Sequence, residues 1–422
     1  MQMPTAPLID RSLPALVQGY SWLPSVLREG PDGVARTRVL GKPALVVRGP
    51  EAVRFFYDEG NVRRGGALPG PVLSTLFGHD AVHTLDGDAH RARKEFFLPL
   101  LRPDRIAGLV EHVTAVWDDA VRQWGEAEQT VLFDAASVVL TRGVCRWAGV
   151  PLGEDTEEPK DLARDLVAMV DGFATAGPRQ WRARRARSRQ EHRFTQLIED
   201  MRAGEAAAPD GSVLAAVCEH READGELLHP HTAAVELLNV LRPTVAVCWF
   251  VAYTAHALHL QPGLRERLRG GPAYATAFAH EVRRFYPFAP FLGGLAIRDL
   301  AWRGVSLPAG GMVLLDVFGQ NHDEELWGDP FVFRPERFLE HAVERDELVP
   351  QGGGEPRTGH RCPGEGLTIG LLEALALRLA DLDYAVPDQD LRISLRRIPA
   401  RVRSGFAVQD VRTTSERTPT PV

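Results

Sequence analysis

The sequence predicts a mainly α-helical protein with small β-sheets (α+β), and three features carry that prediction. Apolar residues recur at three- and four-residue spacings through long stretches between about Asp104 and Leu260. Short β-like runs such as Ala44 to Val47 alternate with turn signals near the N-terminus, and a second strand-and-turn block follows Pro287. No βαβ succession is present, which argues against a doubly wound nucleotide-binding sheet.

Each element follows in order. Ile106 to Trp124, Asp161 to Phe173 and Thr232 to Leu260 read as amphipathic or buried helices. Gly177-Pro178 and Gly270-Gly271-Pro272 mark loops between helices. Ala273 to Tyr286 is a helix that Pro287 stops, because proline cannot donate the next hydrogen bond. Strands and turns then run to about Val317, followed by a Pro- and Gly-rich meander and a last helix from about Pro363 to Leu382. Residues 1–411 form one catalytic domain in this reading, and 412–422, rich in Thr, Ser and Pro, form a flexible tail.

Composition narrows the function classes. The 422 residues are 44% hydrophobic and 25% charged, an ordinary globular balance. A net charge of −7 gives no general attraction to nucleic acid or to an acidic membrane surface. Cys145, Cys218, Cys248 and Cys362 show no C-x-x-C spacing, so neither a zinc site nor a disulfide framework is expected. Met1 to Tyr20 lacks the pattern of a signal peptide, and the apolar run Val245 to Leu258 is short for a membrane span. The expectation is a cytoplasmic protein with no membrane anchor.

The strongest local signal is Gln351-Gly-Gly-Gly-Glu-Pro-Arg-Thr-Gly-His-Arg-Cys-Pro-Gly-Glu365, running into a helix. A thiolate needs its charge stabilised, and the N–H groups of a glycine-rich loop and a helix N-terminus supply that. The glycines are expected to let the loop pass close to a flat macrocycle. A buried structural cysteine is the competing reading. Four further features point away from it. Glu281-x-x-Arg284 places an acid and a base on one helix face. Arg337 in Arg334-Pro-Glu-Arg-Phe338 offers that acid a second arginine. His90-x-x-x-Lys94 presents two donors at i, i+4, and all these motifs come in a consistent order before the cysteine.

In these motifs the sequence resembles the cytochrome P-450 superfamily. The resemblance implies a triangular prism of helices around a buried haem b (iron protoporphyrin IX), with Cys362 as the thiolate ligand to the iron. Such a ligand pushes electron density onto the iron and favours O–O cleavage. Glu281, Arg284 and Arg337 match the family's structural network. Arg64, His90, Lys94 and His360 are then candidates for the haem carboxylates, with a solvated loop charge as the competing reading for Arg64 and His360. One departure stands out: where the superfamily usually has Phe and Gly seven and four residues before the cysteine, this chain has Glu355 and Thr358. The loop is therefore expected to differ from the common type.

The central helix points to a branch. Oxygen-activating members carry an acid beside a threonine there, whereas this chain reads Glu236-Leu-Leu-Asn-Val-Leu-Arg-Pro-Thr-Val245, with Arg242-Pro243 in the middle. Proline inside a helix costs about 3 kcal/mol and kinks it. A buried arginine is costly unless an anion accompanies it, either a protein carboxylate or a ligand. This looks like the bacterial fatty-acid peroxygenases, which use hydrogen peroxide without a redox partner. The resemblance runs from about residue 10 to residue 411. It includes Gly177-Pro178, Trp181 and Arg184-Arg-Ala-Arg187, besides the segments already quoted.

It implies that Arg242, with Pro243, holds the carboxylate of a fatty or other carboxylic acid so that oxidation falls at Cα or Cβ. Hydroxy acids or, after loss of carbon dioxide, a terminal alkene result. His83 matches the position at which a histidine tilts the family toward alkenes, or it simply packs at the cavity wall. Phe77, Phe173, Phe288 and Phe291 match the family's substrate channel, or are ordinary core. A monooxygenase that depends on a redox partner and acts on another carboxylic acid, and a non-catalytic haem sensor, are the alternatives.

Overall fold

The structure is a computed structural model that describes residues 9–30, 33–153, 157–222 and 224–413. Helices dominate, as the periodicity predicts. Pro103–Glu126 packs on Leu132–Ala148, and Pro178–Ala203 packs on Glu158–Asp171 and on Pro230–Val245. The last long helix, Glu365–Ala380, lies against Pro272–Phe285, Val247–Leu260 and Pro103–Glu126. Their apolar faces meet in one large core that includes Trp117, Phe133, Leu140, Phe194, Trp249 and Phe278.

The central helix is apolar on all sides because protein surrounds it. It is also the one helix among the described residues long and apolar enough to cross a membrane, at 31 residues, yet 94% of its most apolar window is buried. Its two parts, Pro230–Val245 and Val247–Leu260, meet at Ala246, where ψ is only −14°. Pro243, lacking an N–H, loosens the ladder just before this break.

The helix expected through Phe173 ends instead at Asp171. A Cβ on the following Gly172 would lie 2.3 Å from Ala183 Cβ, so the glycine permits two helices to touch. Phe173 consequently sits in the connecting loop, and Gly177 (φ +78°) caps the helix that begins at Pro178.

The β-segments from the two halves of the chain share one sheet. Its order is Val34–Val39, Lys42–Val47, Met312–Leu315, Leu292–Ala296, Val62–Arg63. Lys42–Val47 runs parallel to Met312–Leu315, and the other pairings are antiparallel. Two smaller sheets join Thr130–Val131, Ala407–Thr413 and Leu382–Ala385, and Leu300–Trp302 with Val305–Leu307. Arg412 and Thr413, expected in the tail, belong to a paired strand; residues 414–422 lie outside the described ones.

The three-charge network forms as the motifs predict. Arg284 donates from Nε and Nη2 to the two oxygens of Glu281 at 2.7 and 2.8 Å. Arg337 Nε stands 3.2 Å from Glu281 Oε2 without hydrogen-bond alignment, and its Nη2 donates to Val332 O at 3.0 Å. Arg284 Nη1 reaches the carbonyls of Asn321 and Pro330, so the helix Pro272–Phe285 is tied to the meander. Glu281 is completely buried. Removing one partner leaves an uncompensated charge, and Glu281→Gln is expected to lower stability by about 3–5 kcal/mol in urea denaturation.

Two half-buried histidines predict an acid limb of stability. His256 Nδ1 accepts from the Tyr286 hydroxyl at 2.9 Å, and His280 Nδ1 accepts from Arg283 Nη1 at 3.1 Å. Burial holds both side chains down to a pKa of about 4, whereas each titrates near 6.5 when exposed. The unfolded chain therefore binds more protons between these values. Stability should be fullest above pH 6.5 and fall as pH drops toward 4, and His280→Gln should flatten part of that slope. A denaturation midpoint independent of pH over this window would contradict the assignment.

Candidate functional site

The cysteine loop is held from three directions. Gly364 caps the helix Glu365–Ala380, so Cys362 stands in the last bend before its first turn. Burial pushes the Cys362 thiol up; the Gly364 backbone N–H, Lys94 and Arg283 pull it down, while Glu365 opposes them. The Cys362 N–H donates to Gln351 O at 3.2 Å. Gln351 Nε2 donates to Thr368 Oγ1 at 3.0 Å and lies 3.9 Å from Cys362 Sγ. Arg283 Nε fixes the same glutamine at 3.1 Å through Oε1, and Arg283 also pairs with Glu365, which accepts from Arg361 Nε at 2.7 Å.

The departures from the usual loop have a local explanation. The Gly359 N–H closes a turn onto Glu355 O at 3.0 Å, and a Cβ on Gly359 would come within 2.9 Å of that oxygen. Glu355 itself pairs with Arg345 at 2.9 Å. Gly352 and Gly354 both have positive φ and face the Tyr57 ring, where a Cβ would approach within 2.4 and 2.9 Å. These glycines seat the loop on the helix Pro50–Tyr57.

The residues expected near the haem carboxylates come together in part. His90 and His360 stack with ring centroids 3.9 Å apart, and His360 Nε2 is 3.6 Å from Asp86 Oδ1. His90 Nδ1 and His360 Nε2 are buried without a hydrogen-bond partner. Arg64 is half-buried, donates from Nη1 to Gly293 O at 2.9 Å, and lies over the Phe56 ring at 4.0 Å. Lys94 is committed to the loop itself: Nζ donates to the carbonyls of Gly359 and of Arg361, the latter at 3.1 Å. An iron porphyrin needs one soft axial ligand and donors for two carboxylates. A half-buried thiol, two imidazole nitrogens without hydrogen-bond partners and a half-buried arginine fit that group.

Arg242 is the most unusual side chain of the site. It is 4% exposed, its Nη1 has no hydrogen-bond partner, and among the described residues no carboxylate lies within ion-pair distance of it. Burial, and after it the charge of Arg187, lowers its pKa to about 9 against the opposing pull of Glu236 and Cys362. Its guanidinium carbon is 5.7 Å from the centre of the Phe77 ring. Phe77 in turn contacts His83 at 4.4 Å between centroids. Burial, followed by the charge of Arg242, holds His83 well below its usual pKa, so its ring is neutral, and its Nδ1 is unpartnered. Thr244, the alcohol next to Pro243, donates to Val240 O at 2.8 Å.

The other aromatic candidates lie in separate groups. Phe288 packs between Trp249 and Phe250, and its carbonyl accepts from the Tyr20 hydroxyl at 2.6 Å. Phe291 meets Trp22 edge-on at 5.4 Å. Phe173 packs with Tyr20, Phe318, Ile398 and Ala400. It immediately precedes the Ala174–Ala176 wall of a 220 Å³ cavity that Leu16, Arg179 and Ile398 also line.

A larger cavity of about 580 Å³ lies against the cysteine loop, lined by His280, Arg345, Arg361, Cys362 and Glu365 among others. None of Arg242, His83 or Phe77 lines it. The chemistry is therefore located by the unpaired cation and not by cavity size.

Sequence reasoning quoted Gln351, Arg187 and Glu236 inside motifs but gave them no role, and it left Arg283 unassigned. Glu236 carries a signal that could have been used: it is an acid in an otherwise apolar helix, and such a residue must have buried donors. Arg242→Leu removes a buried charge that lacks a counter-ion. The ligand-free variant is expected to be more stable than the parent, by on the order of 1 kcal/mol in urea denaturation. Lower stability would mean that the guanidinium has a protein partner after all.

The comparisons with known proteins agree with this geometry. The family described as cytochrome P-450 matches residues 272–378. Along most of its length the chain is similar to cytochrome P-450 137 of Mycobacterium tuberculosis. That protein is 26% identical over 409 residues, covering 91% of this chain and 84% of its relative. Among solved structures, cytochrome P-450SP alpha (CYP152B1) in complex with (R)-ibuprophen matches at TM-score 0.92 and 39% identity, over 96% of this chain and 99% of that one. Cytochrome P-450EX alpha (CYP152N1) with myristic acid matches at 0.93 and 34% identity, over 98% and 100%. A cytochrome P-450 OleT variant in complex with arachidonic acid matches at 0.93 and 36% identity, over 98% and 100%.

Proposed function

The chain belongs to the cytochrome P-450 family, in its CYP152 group, and from that membership we propose that it is a hydrogen-peroxide-dependent peroxygenase of fatty acids. The observation that carries the reading is Arg242, a buried guanidinium with no counter-ion of its own beside an aromatic ring and a neutral histidine. The free energy of burying it is recovered when a carboxylate enters and forms a bidentate, charge-assisted pair.

The bound haem, with Cys362 as its thiolate ligand and Arg64, His90 and His360 near its carboxylates, supplies the iron at which the O–O bond is cleaved and the C–H bond oxidised. Arg242 holds the substrate by its acid end, so the carbons presented for oxidation are Cα and Cβ. Arg242 also keeps that carboxylate ionised. The anchored group can then take a proton from hydrogen peroxide and return it to the departing oxygen. This replaces the acid–alcohol pair, since the Thr244 hydroxyl is bound to its own helix. No redox partner is required for such a sequence.

One acid and one peroxide give a 2- or 3-hydroxy acid and one water. Alternatively they give a terminal alkene, carbon dioxide and two waters. His83, neutral and with a free Nδ1, is placed to hold a proton near the acid end, and we assign it the choice between these outcomes. Phe77 is the apolar wall next to that end, and Phe173, Phe288 and Phe291 are assigned to the channel for the alkyl chain. Residues through 411 make up the catalytic domain in this account. The scattered free thiols suit a reducing cytoplasm.

The test is to incubate haem-loaded protein with a medium-chain fatty acid and hydrogen peroxide, without any reductase, and to analyse products by gas chromatography–mass spectrometry. Hydroxy acid, alkene or both are expected, and Arg242→Leu should lower turnover by about a hundredfold or more with haem still bound. His83→Gln should move product from alkene toward hydroxy acid; an unchanged ratio would reduce His83 to packing. Turnover only with a reductase system would make the protein a monooxygenase. A tight optical response to the acid with no product in either assay would make it a sensor.

A further inference from the structure

The segment from Leu73 to Thr84 carries both Phe77 and His83, and two buried charged side chains from different helices grip it. Arg187, on Pro178–Ala203, is 2% exposed; its Nη1 donates to Leu76 O at 2.8 Å and its Nη2 to Phe77 O at 3.0 Å. Its Nε pairs with Glu191 at 2.6 Å, which neutralises it in place.

Glu236, on Pro230–Val245, is fully buried, and its Oε1 accepts from the Val82 N–H and from Arg93 Nη1, both at 2.8 Å. Its Oε2 accepts from Asn239 Nδ2 at 3.0 Å. Arg93 also pairs with Glu222. Between the two grips, Gly78 has φ +88°, and a Cβ there would lie 2.3 Å from Arg187 Nη2 and 2.7 Å from Val235 Cγ1. A glycine is what lets the strap lie against both helices at once.

The grips fall on functional positions. One holds the carbonyl of Phe77 itself, and the other holds the residue before His83. Glu236 lies six residues before Arg242 on the same helix, about 9 Å along its axis. The strap and the cation are thereby fixed in a common frame. Glu236 is not spent on Arg242, because three other donors occupy its oxygens.

We propose that Arg187 and Glu236 are positioning residues that clamp the strap and so set the reach of Phe77 and His83 toward the carboxylate end held by Arg242, and with it the partition between hydroxy acid and alkene. This rests on the roles assigned above to Arg242 and His83. A strap released at Val82 leaves a buried N–H unpaired and lets His83 drift, whereas Arg242 keeps its place on the helix.

The experiment compares the haem-loaded parent with Glu236→Ala, Glu236→Gln and Gly78→Ala. Amide hydrogen exchange, optical titration with a fatty acid, and the product ratio are measured on each. In Glu236→Ala, exchange within Leu73 to Thr84 should rise about tenfold or more while distant helices stay protected. The alkene-to-hydroxy-acid ratio should change by about threefold or more, and the dissociation constant of the acid by less than that. Glu236→Gln keeps an acceptor for Val82 and should restore much of the ratio. Gly78→Ala should move the ratio with no change of charge.

The proposal is overturned if the strap stays protected, if it loosens and the ratio does not move, or if exchange rises evenly through the whole fold. The exchange measurement needs no turnover. Failure of the peroxygenase reading therefore shows as a parent without product, and failure of the clamp as a productive parent whose ratio the variants leave alone.

Discussion

A guanidinium buried without a counter-ion is the constraint around which the rest of the structure is arranged. Arg242 sits in a helix of which almost every residue is buried. Glu236 is saturated by three donors, and the Thr244 hydroxyl is returned to the backbone. Among the described residues no carboxylate pairs with the cation, and the function proposed above has an anionic ligand supply that charge. That is how a binding preference for carboxylates can be built from one residue. Pro243 belongs to the same device, because the ladder it loosens ends at Ala246, one turn from the guanidinium.

The opposite side of the site is rigid for a different reason. Arg283 and Arg284 are adjacent on one helix and face two networks. Arg284 locks onto Glu281 and the meander carbonyls, and Arg283 reaches Gln351 and Glu365 beside Cys362. The three-charge motif thus stabilises the fold and, through its neighbour, fixes the loop that presents the thiol. Lys94 adds a third brace from the helix Gly87–Leu100 by holding the loop carbonyls.

Much of this was legible in the sequence. Helical periodicity located Pro103–Glu126, Glu158–Asp171 and the central helix to within a few residues, because burial of one face imposes that spacing, but it did not delimit Leu132–Ala148 or Pro178–Ala203. The charged pair Glu281 and Arg284 and the cysteine loop could be read because the motifs are local. What could not be read depends on contacts between distant segments. The boundary at Asp171 depends on Ala183 touching Gly172, and the joining of early and late strands into one sheet depends on a parallel pairing across some 270 residues. Likewise the run Gly352 to Gly354 has a clear reason only once Tyr57 and Val53 are seen beside it. Phe288, Phe291 and Phe173 share a residue type with Phe77, but only Phe77 meets Arg242, and periodicity carries no information about that.

The reading depends on Arg242 recognising a carboxylate and not merely an alkyl chain. The most direct test is an optical titration of the haem-loaded protein with a saturated fatty acid and, separately, with its methyl ester, which keeps the chain and removes the charge. The account predicts saturable binding of the acid, weakened at least about a hundredfold for the ester and for the acid in Arg242→Leu. Equal binding of acid and ester, or acid binding unaffected by the substitution, would contradict it.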